Sequence, residues 1–243
     1  MVFIAPPFES DPTLEAVREK IRKIEAEKQP RRYLGASSIG NPCERAIWYG
    51  YHMPELRKPM NDIGHLAVNC GHRSEDVMAT YLRLVDGIEL HTQDEKGDQF
   101  GFVDLDGAFR GHIDGLIKGI LQAPKTWHVW EHKSANHKKF GEFQNAKRKH
   151  GEKEALRQWN VVYYAQAQLY MHYMDLKRHY TTVSLAGVRD FDSCRTEYNR
   201  DYAEGLRAKA QRVVDAKQEP SGISTKPDYY LCRFCDYKEE CFK

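Results

Sequence analysis

A chain of 243 residues, 41% hydrophobic and 30% charged, has the size and make-up of a globular domain with a full core. It lacks any run of about 18 apolar residues, which excludes a membrane-spanning helix, and its start (MVFIAPPFESDP) has no basic cluster leading into an apolar stretch, so a cytoplasmic rather than secreted protein is expected. A net charge of +2 decides little about partners, because a local basic groove matters more than the total.

Asp11 and Pro12 open a helix expected over residues 11–29, with Leu14, Val17, Ile21 and Ile24 at helical spacing. A short helix is expected over 41–50, capped by Asn41, with Pro42 at its first position and Cys43, Ala46 and Ile47 along one side. Residues 60–85 read as a third helix whose inner stripe would be Leu66, Cys70, Val77, Tyr81 and Leu84. The period then changes to two. Segments 98–106 and 108–118 alternate around Asp106-Gly107, a hairpin signal, and 127–134 is a further strand. Helical spacing returns over 139–149 and 153–175. Residues 180–189, rich in β-branched side chains, read as a strand, and 196–217 as a helix ended by Pro220 and Gly222. There is no internal repeat. This order predicts an α/β domain with a mixed sheet.

The chemistry concentrates in Trp127-His128-Val129-Trp130-Glu131-His132-Lys133. On a strand, alternate side chains share a face, so Glu131 and Lys133 point one way and His132 the other. Alone, such a pair is more often a surface ion pair. The preceding strand changes the odds, because Arg110, His112 and Asp114 share one face there, with Ile113 and Ile117 on the other. Were the two strands neighbours, Asp114 and Glu131 would converge, and two such carboxylates call for a cation between them. Hard oxygen ligands select Mg²⁺ or Mn²⁺. Glu75 could lean over the same pocket from the helix before, or stay an exposed glutamate. Gln166 and Tyr170, four apart on a helix, share a face that could hold a base or phosphate, or simply pack. Lys138, Lys139, Lys147, Arg148, Lys149, Lys153 and Arg157 crowd one stretch, interleaved with Phe140, Phe143 and Trp159. That pattern suits a groove that tracks a nucleic-acid backbone and stacks bases, though it also fits a solvated helical face.

Read together, Gly71-x-x-x-Glu75, Asp114, Glu131-His132-Lys133 and Gln166-x-x-x-Tyr170 resemble, in order, the motifs of RecB-like nucleases of the PD-(D/E)xK superfamily. The resemblance implies a restriction-endonuclease-like core, a mixed central β-sheet flanked by helices. Residues 1–34 would be an N-terminal helical extension and 35–243 a single nuclease domain. It further implies metal ligation by Glu75, Asp114, Glu131 and the His132 carbonyl, water orientation or transition-state stabilisation by Lys133, and substrate contact by Gln166 and Tyr170. Glu75 stands where many relatives have histidine, and His72 is close by, so which of them meets the metal stays open. His-Ile precedes Asp114 where a proline is common.

Cys232-x2-Cys235-x5-Cys241 reads as a ligand set rather than a disulfide framework in a reduced compartment, and it lacks a fourth member. The surroundings of Cys43 (Ser37-Ser38-Ile39-Gly40-Asn41-Pro42-Cys43-Glu44-Arg45) resemble the segment supplying the remote first cysteine in iron–sulfur RecB-like nucleases, including those of CRISPR adaptation and related phage exonucleases. The implied group is a structural 4Fe-4S cluster joining the N- and C-terminal parts, with Zn²⁺ as the alternative. Cys70 and Cys194 match no motif and are expected to be buried small hydrophobes. The expected function is a metal-dependent deoxyribonuclease, an exonuclease on single-stranded DNA or DNA ends in recombination, repair or phage DNA processing. An endonuclease or CRISPR-adaptation trimming nuclease is the alternative enzyme, and a DNA-binding assembly module the non-enzyme reading.

Overall fold

Helix α1 (Pro12–Glu27) forms where its cap predicts, Asp11 accepting from the N–H groups of Thr13 and Leu14 at 2.8 and 3.1 Å. The computed structural model describes residues 11–243; the first ten, on which the expectation of no secretory leader chiefly rests, lie outside the described residues. Apolar spacing made α1 a helix without burying it: Leu14, Val17 and Ile24 are exposed. The helix lies against α4 (Asp62–Arg83) through charges, Arg18 donating to Asp62 at 2.8 Å and Glu25 meeting His65. No helix among the described residues is long and apolar enough to cross a membrane.

After β1 (Leu34–Gly35) and the single turn α2 (Ala36–Ile39), α3 (Glu44–His52) begins later than the Asn41-Pro42 pair suggests. Asn41 spends its side-chain oxygen on the N–H of Cys43 (2.9 Å), which leaves Cys43 at the cap position. In α4 the expected inner stripe is turned outward: Leu66 is 50% and Leu84 74% exposed, with Val77 and Tyr81 also at the surface. The inward side carries Ser74, Met78 and Ala79, because only the second half of the helix rests on the sheet.

Strands β2 (Glu89–His91), β5 (Gly115–Lys118), β6 (His128–Ala135), β7 (Arg178–Leu185) and β8 (Phe191–Glu197) form a mixed five-stranded sheet in the order β2-β5-β6-β7-β8. All neighbours are antiparallel except β6 and β7, which run parallel and are joined across a helical crossover. A second sheet has the order β1-β4-β3, from β3 (Gly101–Asp104) and β4 (Phe109–His112). The Asp106-Gly107 hairpin is therefore present, its turn made of left-handed Leu105, Asp106 and Gly107. The segment expected as one strand over 108–118 is two. It breaks at Ile113-Asp114, and β4 and β5 belong to different sheets.

The crossover comprises α5 (His137–His150), α6 (Glu152–Trp159) and α7 (Val161–Tyr173). The single helix expected over 153–175 is interrupted at Asn160, whose side chain caps α7 by accepting from Val162 and Tyr163. Helix α7 is buried almost all round, as a helix in the middle of a core must be. Ala165, Leu169 and Met171 pack with Val129, Ile39 and Ile47, and Tyr164 and Ala167 with Phe143 and Val183. Helix α8 (Arg200–Asp215) starts at its Asn199 cap, so the first residues assigned to that helix belong to β8. The tail ends in the turn α9 (Lys238–Cys241). The sheet is thus mixed and flanked by helices, with Met78 and Ala79 of α4 packed against Trp130 of β6 while Val129 clusters with α7.

Candidate active site

Strand β6 sorts its side chains by parity. Glu131 and Lys133 face the same way, Lys133 Nζ 3.5 Å from Glu131 Oε1. His132 turns to the other side, its Nδ1 3.0 Å from Thr182 Oγ1 and its Nε2 3.0 Å from Ser184 Oγ. Burial, with the Lys133 charge adding, pushes that imidazole down to about 4, so it is neutral at pH 7. The ring of His132 is therefore structural, and only its carbonyl is left for the site.

The pairing of β5 with β6 sets Gly115 opposite Trp130. Carried one step on, that register brings Asp114 opposite Glu131, and Asp114 Oδ2 accepts the backbone N–H of His132 at 2.7 Å. Asp114 sits where the chain leaves one sheet for the other. Helix α4 adds Glu75 from above. The consequences are electrostatic. Glu131 is 3% exposed, and burial, followed by the charge of Asp114, holds its carboxyl well above the usual range against the pull of Lys133. Its Oε2 is buried and, among the described residues, has no hydrogen-bond partner. Glu75 is raised to about 7 by burial and then by Asp114 and Asp76. Burial alone would lower Lys133, but Glu131 and Asp114 outweigh it and hold the ammonium above its ordinary value.

Helix α7 supplies Gln166 and Tyr170, joined by a 2.9 Å bond from Gln166 Nε2 to the Tyr170 hydroxyl. Tyr170 is held protonated by burial and by the nearby charge of Glu131. Its ring lies against Gly111: a Cβ there would stand 2.8 Å from Tyr170 Cε1 and 2.9 Å from Ala36 Cβ. Glu75, Asp114, Glu131, His132, Lys133, Gln166 and Tyr170 all line one cleft of about 340 Å³, with His72 at its wall.

The same cleft is lined by Arg31, Tyr33 and Arg110, the two guanidinium groups lying 5.1 and 5.2 Å from the Tyr33 ring centre. Arg110 was legible as a face-mate of Asp114. Arg31 and Tyr33 were not, because they arrive by the parallel pairing of β1 with β4, a contact with no local signature.

The basic stretch divides. Lys139, Lys147 and Lys153 are paired with Glu142, Asp192 and Glu197, whereas Lys138, Arg148 and Lys149 make no ion pair among the described residues. Phe140 and Phe143 are not stacking surfaces; both are buried, Phe143 fully, in the core beneath α5 and α6. Their spacing marks the inner face of an amphipathic helix. Trp159 and Tyr163 remain partly exposed.

Far from the cleft in sequence, the tail folds back on α3. Arg45 Nη1 lies 3.5 Å from Cys241 Sγ, and its Nε donates to the carbonyl of Pro220 at 2.7 Å. The thiols of Cys232 and Cys235 are both raised, chiefly by burial with the charges of Cys43 and Cys241 adding, and Cys43, Cys235 and Cys241 pack against the same core cluster. Among the described residues, no three or more His, Cys, Asp or Glu side chains close into a ready ligand set, at the thiols or the carboxylates. Cys194 is fully buried as expected; Cys70 is only half-buried, having turned outward with α4.

No protein-family model matches the sequence, and no curated protein matches it. Solved structures do. The crystal structure of SSO0001 superposes with a TM-score of 0.51 at 12% identity, over 96% of this chain and 98% of that one. The alkaline exonuclease LHK-Exo from Laribacter hongkongensis gives a TM-score of 0.50 at 13% identity, over 81% of this chain and 90% of that one, and its complex with dAMP gives the same values. At these identities what is shared is the fold.

Proposed function

We propose that this chain is a Mg²⁺- or Mn²⁺-dependent deoxyribonuclease that acts on single-stranded DNA or DNA ends. The observation that carries the reading is the meeting of Asp114, Glu131 and Lys133, with Glu75 above them, in one cleft between two sheets. The residues suit a hard divalent cation: among the described residues a buried Glu131 oxygen lacks a donor, and burial together with the Asp114 charge raises the carboxyls of Glu131 and Glu75. Asp114, Glu131, Glu75 and the His132 carbonyl would hold the ion, which when bound supplies Lewis acidity toward a water and the phosphate oxygens. Lys133, kept protonated by its acidic neighbours, orients the attacking water and stabilises the charge of the transition state. Arg31 and Arg110 position the flanking phosphates, and the Gln166–Tyr170 pair braces the floor. An exonucleolytic activity is favoured because the fold is shared with an alkaline exonuclease, one structure of which holds dAMP.

End-labelled linear single-stranded DNA incubated with Mn²⁺ should be degraded, and Lys133→Ala should lose at least about a hundredfold in kcat while keeping the native circular-dichroism spectrum. Cleavage by that variant at the native rate would overturn the mechanism. Covalently closed circles separate the two enzyme readings, since an obligate exonuclease leaves them intact. We further propose that Cys43, Cys232, Cys235 and Cys241 hold an iron–sulfur cluster of structural role; the reading is supported by the thiolate-type spacing of the tail and by Cys43, Cys235 and Cys241 packing against one core cluster. Anaerobically purified protein should then be brown; colourless protein with stoichiometric zinc would rule out iron.

A further inference from the structure

Besides the charge of Asp114, Lys133 meets two side chains directly among the described residues: Glu131, at 3.5 Å, and the ring of Tyr163, whose centre lies 5.1 Å from Nζ. They differ in kind. Glu131 is already engaged by the Asp114 charge, and any cation drawn to these carboxylates competes for it. The aromatic face attracts an ammonium through its quadrupole, and among the described residues no other cation lies over it. A four-carbon side chain held by one contested carboxylate would be free to swing; a ring beneath it fixes the direction of its N–H groups toward the cleft.

The ring is itself fixed. Tyr163 lies in the first turn of α7, where Asn160 Oδ1 accepts its N–H at 3.2 Å. Its side chain stands 5.4 Å from Trp159, tilted by 57°. Trp159 is anchored in turn by donating Nε1–H to the Lys139 carbonyl at 3.0 Å and by its edge contact with Phe143 at 5.1 Å. A continuous column, Phe143–Trp159–Tyr163, thus runs from the core to the amine.

We propose that Tyr163 is the positioning residue for Lys133, acting through its ring face rather than its hydroxyl. The idea rests on the nuclease reading only for its kinetic test. That test replaces Tyr163 with Phe, with Phe carrying one, two and three ring fluorines, and with Leu, and measures cleavage of linear single-stranded DNA at saturating Mn²⁺. Phe should match the native rate. Each fluorine weakens the quadrupole while the ring keeps nearly the same shape, so kcat should fall stepwise to a loss of about 10- to 30-fold at Leu, with KM changed less than about twofold. A ring that only filled space would leave kcat flat across the fluorinated series, and that result overturns the proposal.

A second measurement needs neither metal nor activity. In ¹³C-lysine-labelled apoprotein, the ε-methylene of Lys133, identified by its loss in Lys133→Arg, should resonate upfield from the ring current and return to the random-coil position in Tyr163→Leu. An unshifted signal in the native protein overturns the placement. Native protein that shows the shift but cleaves no DNA would sink the nuclease reading and leave the Tyr163 contact standing.

Discussion

Asp114 does two things at once: it accepts the N–H of His132 at 2.7 Å, and it adds its charge to a site that already holds Glu131 and Glu75. Asparagine can keep the first and removes the second. Asp114→Asn should therefore raise the thermal midpoint of the metal-free protein, by roughly 2–4 °C for about 1 kcal/mol of relieved repulsion. It should also abolish both cleavage and the stabilisation by Mn²⁺. A midpoint lowered in calorimetry would show that the carboxylates do not oppose one another. Gly111 sets a complementary limit. A methyl there meets the rings of Phe102 and Tyr170 at 2.5 and 2.8 Å, so Gly111→Ala should cost about 1–3 kcal/mol in denaturant unfolding by forcing Tyr170 off Gln166. The alignment of Glu131 with Lys133, and of Arg110 with Asp114, could be read from the chain because the period of a strand is local. Nothing local announces Arg31 and Tyr33, since a distant backbone pairing delivers them to the cleft.

Elements were legible where caps and alternation agree and illegible where burial was inferred from spacing alone. Helix α4 has its apolar residues at helical intervals, yet it sets a glutamate, a serine and small residues inward, because its leading half overhangs the cleft instead of the sheet. Strand β8 was hidden by its polar composition, Phe191–Glu197 holding only Cys194 and Thr196 inside. The division of α6 from α7 turns on Asn160. Asn160→Ala should cost about 1 kcal/mol of stability through the lost cap. Because Tyr163 and Gln166 ride on the first turns of α7, activity should decline in step. Strand β7 carries a pH-dependent element. His179 is buried with Nδ1 3.1 Å from Thr181 Oγ1, and burial, aided by Lys133 and His128, pushes it down to about 3 from 6.5. A depressed histidine stabilises the fold fully above about pH 6.5, and that contribution is lost as pH falls toward 3. His179→Asn should accordingly shrink the fall in thermal midpoint between about pH 7 and pH 5, whatever it does to the midpoint itself. An undiminished slope would mean that His179 is not titrating.

At the scale of the molecule, the order of helices and strands foretold a mixed sheet with helical cover, but not that the strands divide into two sheets. That division depends on a two-residue break, Ile113-Asp114, too short for periodicity to register. The cysteines act at this scale too. Cys43 sits at the N-cap position of α3 while Cys232, Cys235 and Cys241 lie in the tail, so the proposed cluster on all four would close most of the domain into one loop. Cys43→Ser should lower the unfolding midpoint and open the segment after α8 to limited proteolysis; a tail still resistant would assign its order to side-chain contacts such as Arg45 with Pro220, Arg57 with Asp236 and Tyr49 with Tyr237. The break has a mechanical side as well. Because the chain crosses between sheets at Asp114, that carboxylate is the pin of a joint, and the bond to His132 is its latch. Rocking of the smaller sheet against the larger would change the gap between Asp114 and Glu131 and would at once press β3 and β4 on α2 and α7, which they meet at Gly111 and Phe102.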